Sequence, residues 1–207
     1  NPDLGLVIDE SVYYQDWEEY RSAEMGLYAL QQELVEQIVV LGELRSDLLE
    51  ITDNADRDLI EIYNFDVSFS NKYSSPVNFY KLIGACNSLK TKLENEHPIV
   101  IDLEGDITSY DRLYGEVLCM RAWAYFNAVR IYGHVPYIYP SLSEISEIQD
   151  YVNSSGTYLD SIFIIYGSDG FSNDTIRDTT IILDKRIIGL DAVIDTFTNE
   201  LETKIKD

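Results

Sequence analysis

The run from Thr108 to Tyr132 restricts this chain more than any other stretch. Leu113, Tyr114, Val117, Leu118, Arg121, Ala124, Tyr125, Ala128, Val129 and Tyr132 recur at three- and four-residue steps. That spacing lays one face of a long α-helix against a core. It cannot serve a strand, whose side chains alternate between faces. Gly133 supplies the stop, and Pro136 and Pro140 force an extended exit. The fold therefore has to be built around one long, largely buried helix.

Three more segments carry helical spacing. From Asp16 the positions Tyr20, Ala23, Leu27, Leu30, Leu34, Ile38 and Leu41 form a stripe, with Asp16, Glu18 and Glu19 at its start and Gly42 at its end. Pro76 opens a second helix as its first residue. Phe79, Leu82, Ile83, Cys86, Leu89 and Leu93 line it, and His97-Pro98 closes it. A last helix over 189–206 carries Leu190, Ile194, Phe197, Leu201 and Ile205.

Between the helices lie an extended leader at 1–15, a turn or extended piece from Glu43 to Glu50, turn and cap chemistry at Asp53 and Asn54, and a loop at 63–75. The polar stretch 141–156 holds a short helical pattern over SLSEISEIQDYV. Residues 157–188 are rich in Ile and Thr, with an SDG turn between two halves, and predict a β hairpin. The fold class is mostly α: antiparallel, tetratricopeptide-like helix pairs with long loops and a small β hairpin, in one domain over 1–207.

Charge narrows the function. Thirty-seven acids against 15 bases give a net charge of −22, with no Lys/Arg cluster to interrupt it. Such a surface repels phosphate backbones and excludes nucleic acid as a partner. The 16 tyrosines offer flat faces with polar tips, suited equally to cores and to binding surfaces. No apolar run approaches the roughly 20 residues that a membrane span needs.

Catalytic and metal motifs are missing. Cys86 and Cys119 sit in apolar helical patterns without further Cys or His ligands, so they predict buried free thiols, with one disulfide as the alternative, rather than a zinc site. His97 and His134 flank a helix end and a glycine stop, as capping or surface residues do. No Gly-rich phosphate loop, HExxH or GxSxG is present. Carboxylates abound, but no pair is singled out as a glycosidase acid and nucleophile, and glycoside hydrolysis stays a remote alternative. The expectation is no enzyme, no cofactor and no metal. Arg121 is the one charge inside the central stripe. It reads either as a structural guanidinium paired with a carboxylate, Asp47 being the expected partner, or as a ligand clamp.

The central helix and its exit carry a resemblance. Cys119-Met120-Arg121-Ala122-Trp123-Ala124-Tyr125-Phe126, followed by Val129-Arg130-Ile131-Tyr132-Gly133-His134-Val135-Pro136-Tyr137, resembles the RA-x-A-Y-F … G-x-v-P signature of the SusD/RagB family. Leu41-Gly42-Glu43-Leu44-Arg45-Ser46-Asp47, Tyr80 through Asn87, and Val193 through Glu202 are similar to its other blocks, in the family's order.

The resemblance implies a helical, tetratricopeptide-like fold and a non-catalytic lipoprotein of the Bacteroidetes outer membrane. Such a protein binds oligosaccharides or other nutrients at the cell surface and works with a SusC-like TonB-dependent transporter. It further implies that this chain is the N-terminal portion of a longer protein, anchored by a lipidated cysteine upstream of Asn1. In the family, the loop before the second helix gives the glycan site an aromatic and an Asn. Phe69, Asn71, Tyr73 and Asn78 are the residues available for that role here, the alternative being an ordinary surface loop. A helical-repeat module gripping a protein partner is the rival class.

Overall fold

The computed structural model describes residues 14, 16–46, 48–100, 108–142, 144–153, 157–164, 177–184 and 187–205. The expected leader, apart from Tyr14, falls outside the described residues, as do Asp47 and the SDG turn. The elements in order are α1 (Trp17–Glu43), α2 (Arg57–Tyr63), α3 (Val77–Glu96), α4 (Ser109–Tyr132), β1 (Val135–Pro136), α5 (Ile145–Asn153), β2 (Thr157–Ile164), β3 (Arg177–Asp184), β4 (Ile187–Ile188) and α6 (Leu190–Ile205).

Local chemistry fixes the helix ends. Asp16 caps α1 reciprocally with Glu19, and Thr108 does the same for α4 with Asp111. His97 ends α3 in the left-handed conformation at φ 43°, and Gly133 ends α4 at φ 82°. Pro76 stands just before α3, as its cap residue rather than its first helical position. The short helix α2 was not expected from the sequence. Its cap is Asp56, whose side chain accepts from the Leu59 amide at 2.9 Å, and not Asp53 or Asn54.

The helices pack as α1 on α3, α3 on α4, α1 on α4, and α4 on α6. Hydrogen bonds set their directions. Tyr20 near the start of α1 meets Glu96 at the end of α3, while Tyr110 at the start of α4 donates to the Leu93 carbonyl. Helix α3 is thus antiparallel to both α1 and α4. Tyr28 donates to Glu116 and Gln37 reaches Tyr132, so α1 and α4 run parallel. Between them lies the main core, which includes Leu27, Leu34, Phe79, Leu82, Cys86, Leu89, Val117, Leu118 and Tyr125. A smaller cluster of Leu41, Leu44, Ile62 and Tyr73 fills the space where α1 ends over α2.

The stripes of α1, α3 and α4 are buried as the spacing demands, but α6 is turned. Val193 and Phe197 are buried, whereas Leu190 and Ile194 are exposed. Arg121 holds α6 to α4 through Glu200; Leu190 stands in the first turn of α6, well before that contact, and Ile194 lies to one side of Val193 and Phe197. Cys119, expected to be buried, is exposed, while Cys86 is buried; both are free thiols.

The Ile/Thr-rich segment forms an antiparallel pair of strands, with Thr157 opposite Asp184 and Ile164 opposite Arg177. Ile187 and Ile188 do not extend that ribbon. They pair with Pro136 and Val135 instead, so β4 joins the exit of α4 and carries the chain into α6.

Candidate functional site

Three of the four blocks that carried the family resemblance converge on the exit of α4, and Leu41 and Leu44 of the fourth pack in the cluster beside Ile131 and Tyr132. Tyr80 of α3 donates its hydroxyl to the Pro136 carbonyl at 2.6 Å. The Asn87 amide donates to the carbonyls of Ile138 (2.9 Å) and Pro140 (3.2 Å). Tyr125 accepts from the Ile138 amide at 2.8 Å and donates to its carbonyl at 3.1 Å. An extended segment with two prolines has few sheet partners, and these three side chains satisfy its backbone instead.

Arg121 lies beneath that segment with no exposed surface. Its Nη1 donates to both carboxylate oxygens of Glu200 at 3.1 and 3.0 Å, and Nη2 donates to the Tyr137 hydroxyl at 3.3 Å. The rings of Tyr139 and Phe197 sit 5.2 Å from the guanidinium carbon, and that of Tyr137 sits 5.8 Å from it. The partner among the described residues is Glu200; Asp47, the expected partner, lies outside them. Full burial makes Arg121 a clamp between α4 and α6 rather than a ligand clamp.

The residues expected to meet a ligand lie around the start of α3, where Gln37 joins the Tyr73 carbonyl to Tyr132 at the C-terminal end of α4. Asn71 is only 3% exposed. Its amide donates to the Asp58 carbonyl at 2.9 Å and to Glu61 at 3.1 Å, and its side-chain oxygen accepts from the Tyr73 amide at 3.0 Å. Glu61 also accepts from the Ser68 hydroxyl and amide, and these bonds, with the Asn71 amide, hold its carboxyl down to about 2. Asn71 and Glu61 thereby tie the loop to α2.

Tyr73 and Asn78 share an open recess of about 310 Å³, lined also by Glu33, Glu36, Gln37 and Lys72. The Tyr73 hydroxyl donates to Glu36 at 2.7 Å, and its pKa is raised, chiefly by burial. Gln37 stands within hydrogen-bond distance of the Tyr73 and Ser75 carbonyls and holds the wall to α1. The Lys72 ammonium lies 4.8 Å from the Tyr73 ring and 2.7 Å from Asp56, which together with the Tyr73 hydroxyl raises its pKa. Phe69 does not line this recess and is fully exposed.

The recess thus joins two of the four expected residues, Tyr73 and Asn78, with Asn71 supporting the loop behind them and Phe69 apart. The residues unforeseen in it are Lys72 and the α1 trio Glu33, Glu36 and Gln37. Their i, i+3, i+4 spacing was the available sign that they share a face. Carboxylate acceptors beside an ammonium and an amide can bind a polyhydroxylated ligand without chemistry. Among the described residues no group of three or more His, Cys, Asp or Glu side chains could hold a metal ion. No helix among them is long and apolar enough to cross a membrane.

No family model and no solved structure matches the chain significantly. Among curated proteins, "SusD-like protein P38" of Formosa agariphila is 30% identical over 129 residues, which takes in 59% of this chain and 24% of that protein. The chain spans about a quarter of the length of the curated relative it matches. Over that part it resembles a SusD-like protein, as do the sequence blocks that meet at the exit of α4.

Proposed function

We propose that this chain is a non-catalytic nutrient-binding domain of SusD type, which presents a neutral oligosaccharide at the cell surface to a TonB-dependent outer-membrane transporter. The observation that carries the reading is the resemblance to a SusD-like protein. The lipid anchor and the transporter come with that resemblance. The ligand site is the recess of Lys72, Tyr73 and Asn78, with Glu33 and Glu36 as acceptors for sugar hydroxyls. A neutral ligand suits two carboxylates in a chain of net charge −22. Lys72 lies over the ring of the buried Tyr73, and its ammonium lines the recess as a donor to sugar hydroxyls.

The test is binding of neutral oligosaccharides from a glycan panel to the protein and to Lys72→Ala, Asn78→Ala and Phe69→Ala. Asn71→Ala is a poor probe because it removes the ties that shape the loop. Lys72→Ala and Asn78→Ala should each weaken binding about fivefold or more, the size of one lost hydrogen bond, without moving the melting temperature. Phe69→Ala should bind normally. Unchanged binding in both recess variants removes this recess from the site.

A further inference from the structure

A second recess lies towards the other end of α1 from the recess proposed above. Because α1 and α4 are parallel, their N-terminal halves come together, and between them opens a hollow of about 240 Å³. Trp17, Arg21 and Glu24 of α1 line it with Ser109, Arg112, Leu113 and Glu116 of α4. The volume is below the roughly 300–1,000 Å³ of pockets for larger ligands and suits one sugar ring.

Its charges are arranged unusually. Arg21 and Arg112 are exposed, and neither belongs to an ion pair among the described residues, although acids surround them. Glu24 is only 6% exposed, and its carboxyl meets the Glu116 carboxylate, which also accepts from the Tyr28 hydroxyl at 2.7 Å. Burial and the neighbouring Glu116 carboxylate push Glu24 towards its neutral form, so less negative charge than two carboxylates stands against the two guanidiniums. At close range that balance favours a small anion over a divalent cation, because the −22 charge of the rest of the chain is screened beyond about 8 Å in physiological salt. The helix ends add little to this, since Asp16, Glu19 and Asp111 already occupy their caps.

We infer that this hollow is a second binding site, taking a sugar acid: a single pyranose ring bearing one carboxylate. Arg21 and Arg112 present forked donors to the carboxylate. The half-buried Trp17 offers an apolar edge to the C–H face of the ring, and Ser109 and the Glu24–Glu116 pair meet its hydroxyls.

The proton on Glu24 sets the pH dependence. The groups that face it are Arg21 and Tyr28 of α1 and Glu116, Arg112 and Cys119 of α4; on α3, Lys92 and Glu96 are held together beside Tyr20. Burial, then the bond and charge of Glu116, push the Glu24 carboxyl up to about 7. Above that pH a second negative charge enters the hollow and a bound carboxylate is repelled.

Titration calorimetry of the 207-residue chain with glucuronate and with glucose, at pH 6 and pH 8, decides the matter. Glucuronate should bind at pH 6 and several-fold more weakly at pH 8, and glucose should bind at neither. Arg21→Gln and Arg112→Gln should each lose about tenfold or more, as expected for a charge-assisted bond, with the melting temperature unmoved. Glu24→Gln should bind equally at both pH values. Lys72→Ala and Asn78→Ala should bind glucuronate normally, so a failure here stays separate from a failure of the first recess. Equal binding of glucose, no binding of glucuronate at pH 6, or arginine variants that bind like the parent would overturn the inference.

Discussion

Arg121 shows how a single residue links two helices that the sequence separates widely. A guanidinium with no solvent contact loses its hydration, and Glu200 with the Tyr137 hydroxyl compensates most of that loss. Removing either partner leaves a buried charge without its counterpart. Glu200→Ala should therefore destabilise the fold by about 3–5 kcal/mol, a larger effect than loss of a solvent-screened pair such as Lys72–Asp56. Chemical denaturation of the two variants checks it; equal midpoints would show that the Arg121 cage tolerates water. That Arg121 is special was legible, because a charge interrupted an apolar stripe. Its partner was not, since nothing local tells Glu200 from the other acids. Asn71 and Tyr73 illustrate the same limit: their residue types fitted ligand contact, and the chain uses one to shape the loop and the other to wall a recess.

At the scale of elements, legibility followed periodicity. Helices α1, α3 and α4 were foreseeable to within a residue or so at each end, because long stripes meet explicit caps and stops. Helix α2 escaped because its seven residues hold barely two turns, and packing against Leu41 and Leu44 rather than propensity stabilises it. The burial pattern of α6 escaped because Leu190 and Ile194 looked apolar enough for the core, whereas Val193 and Phe197 are the residues buried and Glu200 is held by Arg121. Helix α4 touches α1, α3 and α6, so its interior truncations should be costly. Leu118, 1% exposed, should cost about 2–5 kcal/mol as Ala. Leu48, at 75% exposure, should stay within about 0.5 kcal/mol. Thermal melts of both variants test the contrast, and similar midpoints would mean that α4 is peripheral.

At the scale of the whole molecule, net charge opposes the packing. Thirty-seven acids and 15 bases on 207 residues repel one another in the compact state more than in the expanded chain. Ion pairs relieve little of this: of those among the described residues, Arg57–Glu61, Lys72–Asp56, Lys90–Glu94 and Lys92–Glu96 each have at least one side chain about a fifth or more exposed, and only Arg121–Glu200 is closed from both sides. Salt acts on the two terms in opposite directions. Raising ionic strength from 0.01 to 0.15 M shortens the screening length from about 30 Å to about 8 Å. Long-range repulsion is then largely removed, whereas pairs at contact distance lose only part of their modest attraction. The melting temperature of the chain at pH 8 should therefore rise with sodium chloride over that range, and most of the rise should come before 0.15 M. Potassium chloride should give the same curve, because screening does not depend on which monovalent cation is present. A melting temperature that falls with salt would mean that local attraction outweighs the −22 charge, and that the acids of the first helix are held by partners rather than merely solvated.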